Sequence, residues 1–116
     1  MAEHRNLAGL LGDLTDGLRQ IFLADLRKII MYGSYARGDN VEGSDLDIMV
    51  LVDQPAEEIE KRQDQVLELA VDLATRHGIV ISIIEKNYKQ YYEWVEVIPF
   101  LVNIEKEGIC VYERKL

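Results

Sequence analysis

The stretch "YGSYARGDNVEGSDLDIMVLVD", Tyr32 to Asp53, decides how this chain is read. Its second half, "LDIMVLVD" from Leu46 to Asp53, is a Val/Ile-rich apolar run, the pattern of a strand buried on both faces. Its first half holds a Gly-Ser pair, an arginine and two further glycines, and leads into Asp45-Leu46-Asp47. Packing accounts for the apolar run but for neither the acids nor the glycines.

Strand side chains alternate faces, so Asp45 and Asp47 are expected to point the same way, with Cβ atoms roughly 6–7 Å apart. Two such carboxylates repel unless something positive lies between them. A magnesium ion held by one or two carboxylates and by substrate phosphate is the simplest candidate. Gly33-Ser34 is a turn without bulk that offers a backbone N–H and a hydroxyl to phosphate oxygens. Arg37 adds a fork of donors for the same anion. Each half alone reads as easily as ordinary turn residues and solvated acids; the two halves side by side are more specific.

Working outward, "RKIIMY" (Arg27–Tyr32) is a short strand stopped by Gly33, and "GIVISIIE" (Gly78–Glu85) and "ICVYE" (Ile109–Glu113) are two more. Leu7, Leu10, Leu11, Leu14, Leu18, Ile21 and Phe22 recur at helical spacing, with Gly9, Gly12 and Gly17 weakening that first helix. "AEEIEKRQDQVLELAVDLATRH" follows Pro55 and reads as one long helix stopped by Gly78. "NYKQYYEWVEVIPFLVNIEKEG" reads as one or two short helices broken at Pro99. Strands alternating with helices indicate an α/β or α+β fold, a sheet with helices against it.

A chain of 116 residues fits one domain, 1–116, with one core. No apolar run approaches the ~18–20 residues of a membrane span. The N-terminal stretch carries acids and no long apolar segment, so no secretory signal is expected. The lone cysteine, Cys110, suits a reducing cytoplasm. A net charge of −8 disfavours general nucleic-acid binding and is compatible with a basic protein partner or a nucleotide arriving with magnesium. His4 reads as a solvated terminal residue and His77 as a helix-end residue. Tyr88, Tyr91, Tyr92, Trp94 and Phe100 read either as a docking surface or as a core-facing stripe, and the helical spacing of the tyrosines with Val95 favours the stripe.

Gly33-Ser34, ten residues and then Asp45-Leu46-Asp47 resemble the signature of the DNA polymerase beta-like nucleotidyltransferase superfamily. "GSYARGDNVEGSDLDIMV" is similar to its minimal nucleotidyltransferases, and "IPFLVNIEKEGICVYE" resembles the end of that group. The resemblance implies a small mixed sheet flanked by helices. It implies Gly33, Ser34, Arg37 and Ser44 as nucleotide-binding residues, and Asp45 and Asp47 as the catalytic acids that hold Mg²⁺. The implied reaction is in-line attack of a hydroxyl on the α-phosphate, with pyrophosphate leaving. A third acid is expected on the neighbouring strand, where this sequence has Ser82; Glu85 is the nearest acid and would need a bulge to face the site. Larger members add an acceptor-binding domain, for which this length is expected to leave no room. Minimal members pair with a HEPN-domain protein as antitoxin to toxin. The function so implied is transfer of AMP from ATP to a partner tyrosine; the alternative is a catalytically weak or inactive antitoxin that acts by contact. A homo-oligomer stays open, as do the nucleotide base and the acceptor.

Overall fold

The computed structural model describes residues 7–115, so His4 lies outside the described residues. Four strands, β1 (Leu26–Tyr32), β2 (Leu46–Val52), β3 (Ile81–Asn87) and β4 (Ile109–Glu113), form one sheet in the order β3-β2-β1-β4. β1 runs antiparallel to both β2 and β4, whereas β2 and β3 are parallel, so the sheet is mixed. The expected α/β architecture is the one found.

The sheet separates two apolar clusters. On one face, Leu46, Ile48, Val50 and Val52 of β2 meet α1 (Leu7–Phe22), α3 (Ala56–Glu60) and α4 (Gln63–His77). Leu10, Leu14 and Leu18 of α1 are fully buried there, each contributing about 2 kcal/mol of apolar transfer. On the other face, Met49 and Leu51 meet Tyr91 of α5 (Tyr88–Trp94) and Leu101 and Ile104 of α6 (Pro99–Glu107). β2 is therefore buried on both faces, as its unbroken apolar run requires.

The expected first helix is present, and two other expectations are corrected. The first helix runs without interruption despite its glycines, because its leucine stripe packs on the sheet and on α4; tertiary burial outweighs propensity. The long helix after Pro55 is two helices, with a turn at Lys61-Arg62 where Arg62 N–H donates to Ile59 C=O at 3.0 Å. α3 lies against β3 and α4 against both α1 and β3, so one straight rod cannot serve both. β3 also starts three residues later than expected, because Gly78 adopts φ +73° to end α4. Pro99 opens α6 as its first residue, which divides the third helical region in two. His77 does sit at a helix end, where its ring Nε2 meets Asp13 Oδ2 of α1 at 3.2 Å.

Candidate active site

β1 ends at Tyr32 and the chain turns sharply at Gly33, with φ +77° and ψ −154°, into the four-residue α2 (Ser34–Arg37). Gly33 C=O accepts from the N–H of Ala36 and of Arg37, which closes that helical turn. Tyr35 drops into the larger cluster and anchors the turn. A loop then returns through Ser44 and Asp45 to β2, where Asp47 pairs with Tyr32 across the antiparallel ladder.

Gly33, Ser34, Arg37, Ser44, Asp45 and Asp47 line one cavity of about 480 Å³ together with Tyr32, Phe100, Asn103, Ile104 and Glu107. Seven of these come from the opening stretch, which begins at Tyr32, the last residue of β1. The other four lie on α6, which forms the opposite wall and which the residue patterns had not placed there. Asn103, Ile104 and Glu107 have one signal in the sequence, the Asn-Ile-x-x-Glu-Gly string, Asn103 to Gly108, and Phe100 stands out only as a member of the aromatic cluster.

The electrostatics of the cavity follow from crowding. Burial pushes the Asp47 carboxyl above the ordinary aspartate range; the neighbouring charge of Asp45 adds to the rise and Arg37 opposes it. Burial, with help from Asp47, pushes the Tyr32 hydroxyl up to about 12, so it stays protonated. A Cβ on residue 33 would collide with Asp47 Oδ2, so only glycine lets the turn sit against this carboxylate. The Arg37 guanidinium donates to Asp39 Oδ2 from Nε and to Glu107 Oε1 from Nη1, both at 3.1 Å. These two carboxylates hold its pKa above the ordinary arginine value. The Ser44 hydroxyl is engaged within its own loop, where it accepts from Val41 N–H at 2.9 Å.

Ser82 and Glu85 part company. The β2–β3 ladder is unbroken from Leu46/Ile81 to Val52/Asn87, which pairs Asp47 with Ser82 and Val50 with Glu85. Ser82 thus stands beside Asp47 on the same face. No bulge brings Glu85 round; it lies on the opposite face near Gln63 and Asp64 of α4, where burial raises its carboxyl pKa and a hydrogen bond from Gln63 opposes the rise. Among the described residues no group of three His, Cys, Asp or Glu is arranged to hold a metal ion. The donor set fits a magnesium ion that brings most of its own shell: two carboxylates beside a turn suited to phosphate.

The aromatic cluster divides. Tyr88, Tyr91 and Tyr92 pack on the sheet, where Arg27 lies 4.1 Å over the Tyr88 ring, Lys28 Nζ donates to Tyr92 at 2.8 Å and the Tyr91 hydroxyl donates to Glu105 at 2.8 Å. Trp94 and Phe100 remain 48% and 45% exposed, next to exposed Val97 and Ile98. Phe100 meets Tyr32 edge-on at 5.7 Å, so this apolar lip runs up to the cavity.

The nucleotidyltransferase domain family model matches residues 13–95, and the chain belongs to that family. A Methanocaldococcus jannaschii protein with the provisional name protein adenylyltransferase MJ0604 is 31% identical over 103 residues, which is 86% of this chain and 92% of the relative. Two solved structures share the fold. One, a toxin–antitoxin with AMP-PNP, superposes with a TM-score of 0.61 at 20% identity over 90% of this chain and 74% of the other. The second is a tri-AMPylated Shewanella oneidensis HEPN toxin in complex with its MNT antitoxin, with a TM-score of 0.54 at 18% identity over 90% and 71%. The enzyme class read from the Gly-Ser and Asp-x-Asp residues is thus the class of the family. No helix among the described residues is long and apolar enough to cross a membrane.

Proposed function

We propose that this chain is a magnesium-dependent, cytoplasmic transferase that moves AMP from ATP to a tyrosine hydroxyl of a HEPN-type protein and so acts as its antitoxin. One observation carries the reading: Asp45 and Asp47 open into the same cavity as the Gly33-Ser34 turn and Arg37. Ser34 and Arg37 bind the polyphosphate, and Asp45 and Asp47 hold the magnesium that comes with it. The ion, when bound, offsets charge that develops on the phosphoryl oxygens. The acceptor oxygen forms its bond to the α-phosphorus as the bond to the bridging oxygen breaks, and pyrophosphate leaves with that electron pair. The apolar lip at Trp94, Val97, Ile98 and Phe100, with Glu93 and Glu96 exposed beside it, suits an acceptor protein whose surface is apolar and basic. The tyrosine acceptor is supported by the resemblance to minimal nucleotidyltransferases, and a HEPN-type protein as the recipient of AMP by the AMP-modified toxin in the second structural relative.

A second reading, an antitoxin acting by contact with little or no catalysis, is favoured by Ser82. It occupies the strand position beside Asp47 where a third acid would stand, and serine is no base at neutral pH. The hydroxyl proton then passes to solvent water, without help from β3. Intact mass spectrometry of a HEPN-type protein that binds this chain, incubated with it, Mg²⁺ and each of ATP, GTP, CTP and UTP, tests both readings. A gain of one or more AMP units is the expected result. No nucleotide gain with a tight complex overturns the transferase and leaves the contact reading. Ser82→Asp is expected to raise transfer roughly tenfold or more, since positioned acid–base catalysis is worth at least that. A slower Ser82→Asp variant with a fast wild type would show that the base comes from elsewhere.

A further inference from the structure

Glu107 is the last residue of the nine-residue α6. A carboxylate there faces the negative end of the helix dipole, a position that favours cations. Arg37 offsets this: its Nη1 meets Glu107 Oε1 across 70 residues of sequence. Gly108 fixes where the pairing occurs. Its N–H donates to Ile104 C=O at 2.7 Å, and a Cβ there would strike that same carbonyl and lie 2.6 Å from Ile30 Cγ2 of β1. The end of α6 is thereby pressed against the sheet, and Glu107 is delivered to the cavity wall opposite the Gly33 turn.

Arg37 has five N–H donors in a rigid fork. Asp39 takes Nε and Glu107 takes Nη1, which leaves the Nη2 edge for another oxygen. An arginine that is 46% exposed would otherwise sample many rotamers, at an entropic cost when it orders on a ligand.

We propose that Glu107 is a positioning residue for the nucleotide: it holds the Arg37 guanidinium preset, so that a polyphosphate meets a fixed pair of donors. This rests on the nucleotide reading of the cavity and adds to it a role for a carboxylate that pairs with Arg37. Glu107 would otherwise simply repel an anion. The geometry makes it an indirect contributor to anion binding.

Calorimetric titration with Mg²⁺ and AMP-PNP, and separately with AMP, tests the proposal on the full chain. Arg37→Ala is expected to weaken AMP-PNP binding about tenfold, the worth of a hydrogen bond to a charged group. Glu107→Ala is expected to weaken it about three- to fivefold, the scale of a partly exposed ion pair. Glu107→Gln keeps an oxygen for Nη1 and is expected to stay within about twofold of wild type. Adding Glu107→Ala to Arg37→Ala is expected to bring no further loss and to recover part of the binding, because it removes a carboxylate that has lost its arginine and would repel the anion. AMP, which lacks the outer phosphates, is expected to bind all variants alike, whereas a merely structural role would weaken both ligands. Tighter AMP-PNP binding by Glu107→Ala, or additive losses, overturns the positioning role while leaving the nucleotide site intact. No AMP-PNP binding by the wild type overturns both.

Discussion

Asp45→Asn and Asp47→Asn together are expected to abolish magnesium-dependent nucleotide binding and to lower transfer at least roughly a hundredfold, since a bound metal supplies several kcal/mol of charge stabilisation. The double variant is also expected to stay folded. Asp47 holds its proton more tightly in the folded chain than in the unfolded one, mainly through burial and then through Asp45. Ionising it therefore costs stability, and that cost is present above its raised pKa and relieved as pH falls through it. Asparagine is neutral at every pH and removes the cost, so thermal unfolding near neutral pH is expected at or above the wild-type temperature. Calorimetry with and without Mg²⁺ reads the binding. Undiminished magnesium-linked binding in the double variant would remove these acids from the site.

Gly33→Val carries the other large effect. Residue 33 sits at φ +77° and ψ −154°, a region that side chains rarely adopt, and its Cβ would run into Asp47 Oδ2. Strained backbone of this kind costs roughly 1–3 kcal/mol, and the collision adds to it. Unfolding on the order of 10 °C lower is expected, together with loss of nucleotide affinity, because the turn moves away from the phosphate. Gly38→Ala separates the two causes. Gly38 has φ +83° but open space around its Cβ position, so it suffers strain alone and should retain binding. Equal affinity in Gly33→Val and wild type would reduce the Gly33 turn to a connection between strand and helix.

What was legible in the sequence was local. β2 announced itself because burial on both faces demands an unbroken apolar run, and β4 because its five residues are bounded by Gly108 and by charge. The turn at Lys61-Arg62 was hidden, since it arises from where α3 and α4 find their partners and leaves no proline or glycine behind. The cavity was half legible for the same reason. Gly33, Ser34, Asp45 and Asp47 lie within fifteen residues of one another, so strand alternation and turn chemistry predict their convergence. Phe100, Asn103 and Glu107 arrive from α6, far along the chain, and no periodicity reports that. Ser82 was readable only because β3 keeps register with β2 without a bulge.

The sheet divides the apolar interior, and the cavity opens only on the side of α5 and α6. Local opening of this thin outer layer need not await the melting of the α1–α4 layer behind it. Amide hydrogen exchange should therefore record nucleotide binding unevenly. Protection is expected to deepen in Gly33–Arg37 and Pro99–Glu107, while α1 and α4 exchange at unchanged rates. The chain would then hold a rigid half and a responsive half, and an acceptor that lands on the Trp94–Phe100 lip would meet the half that has already been stiffened by ligand.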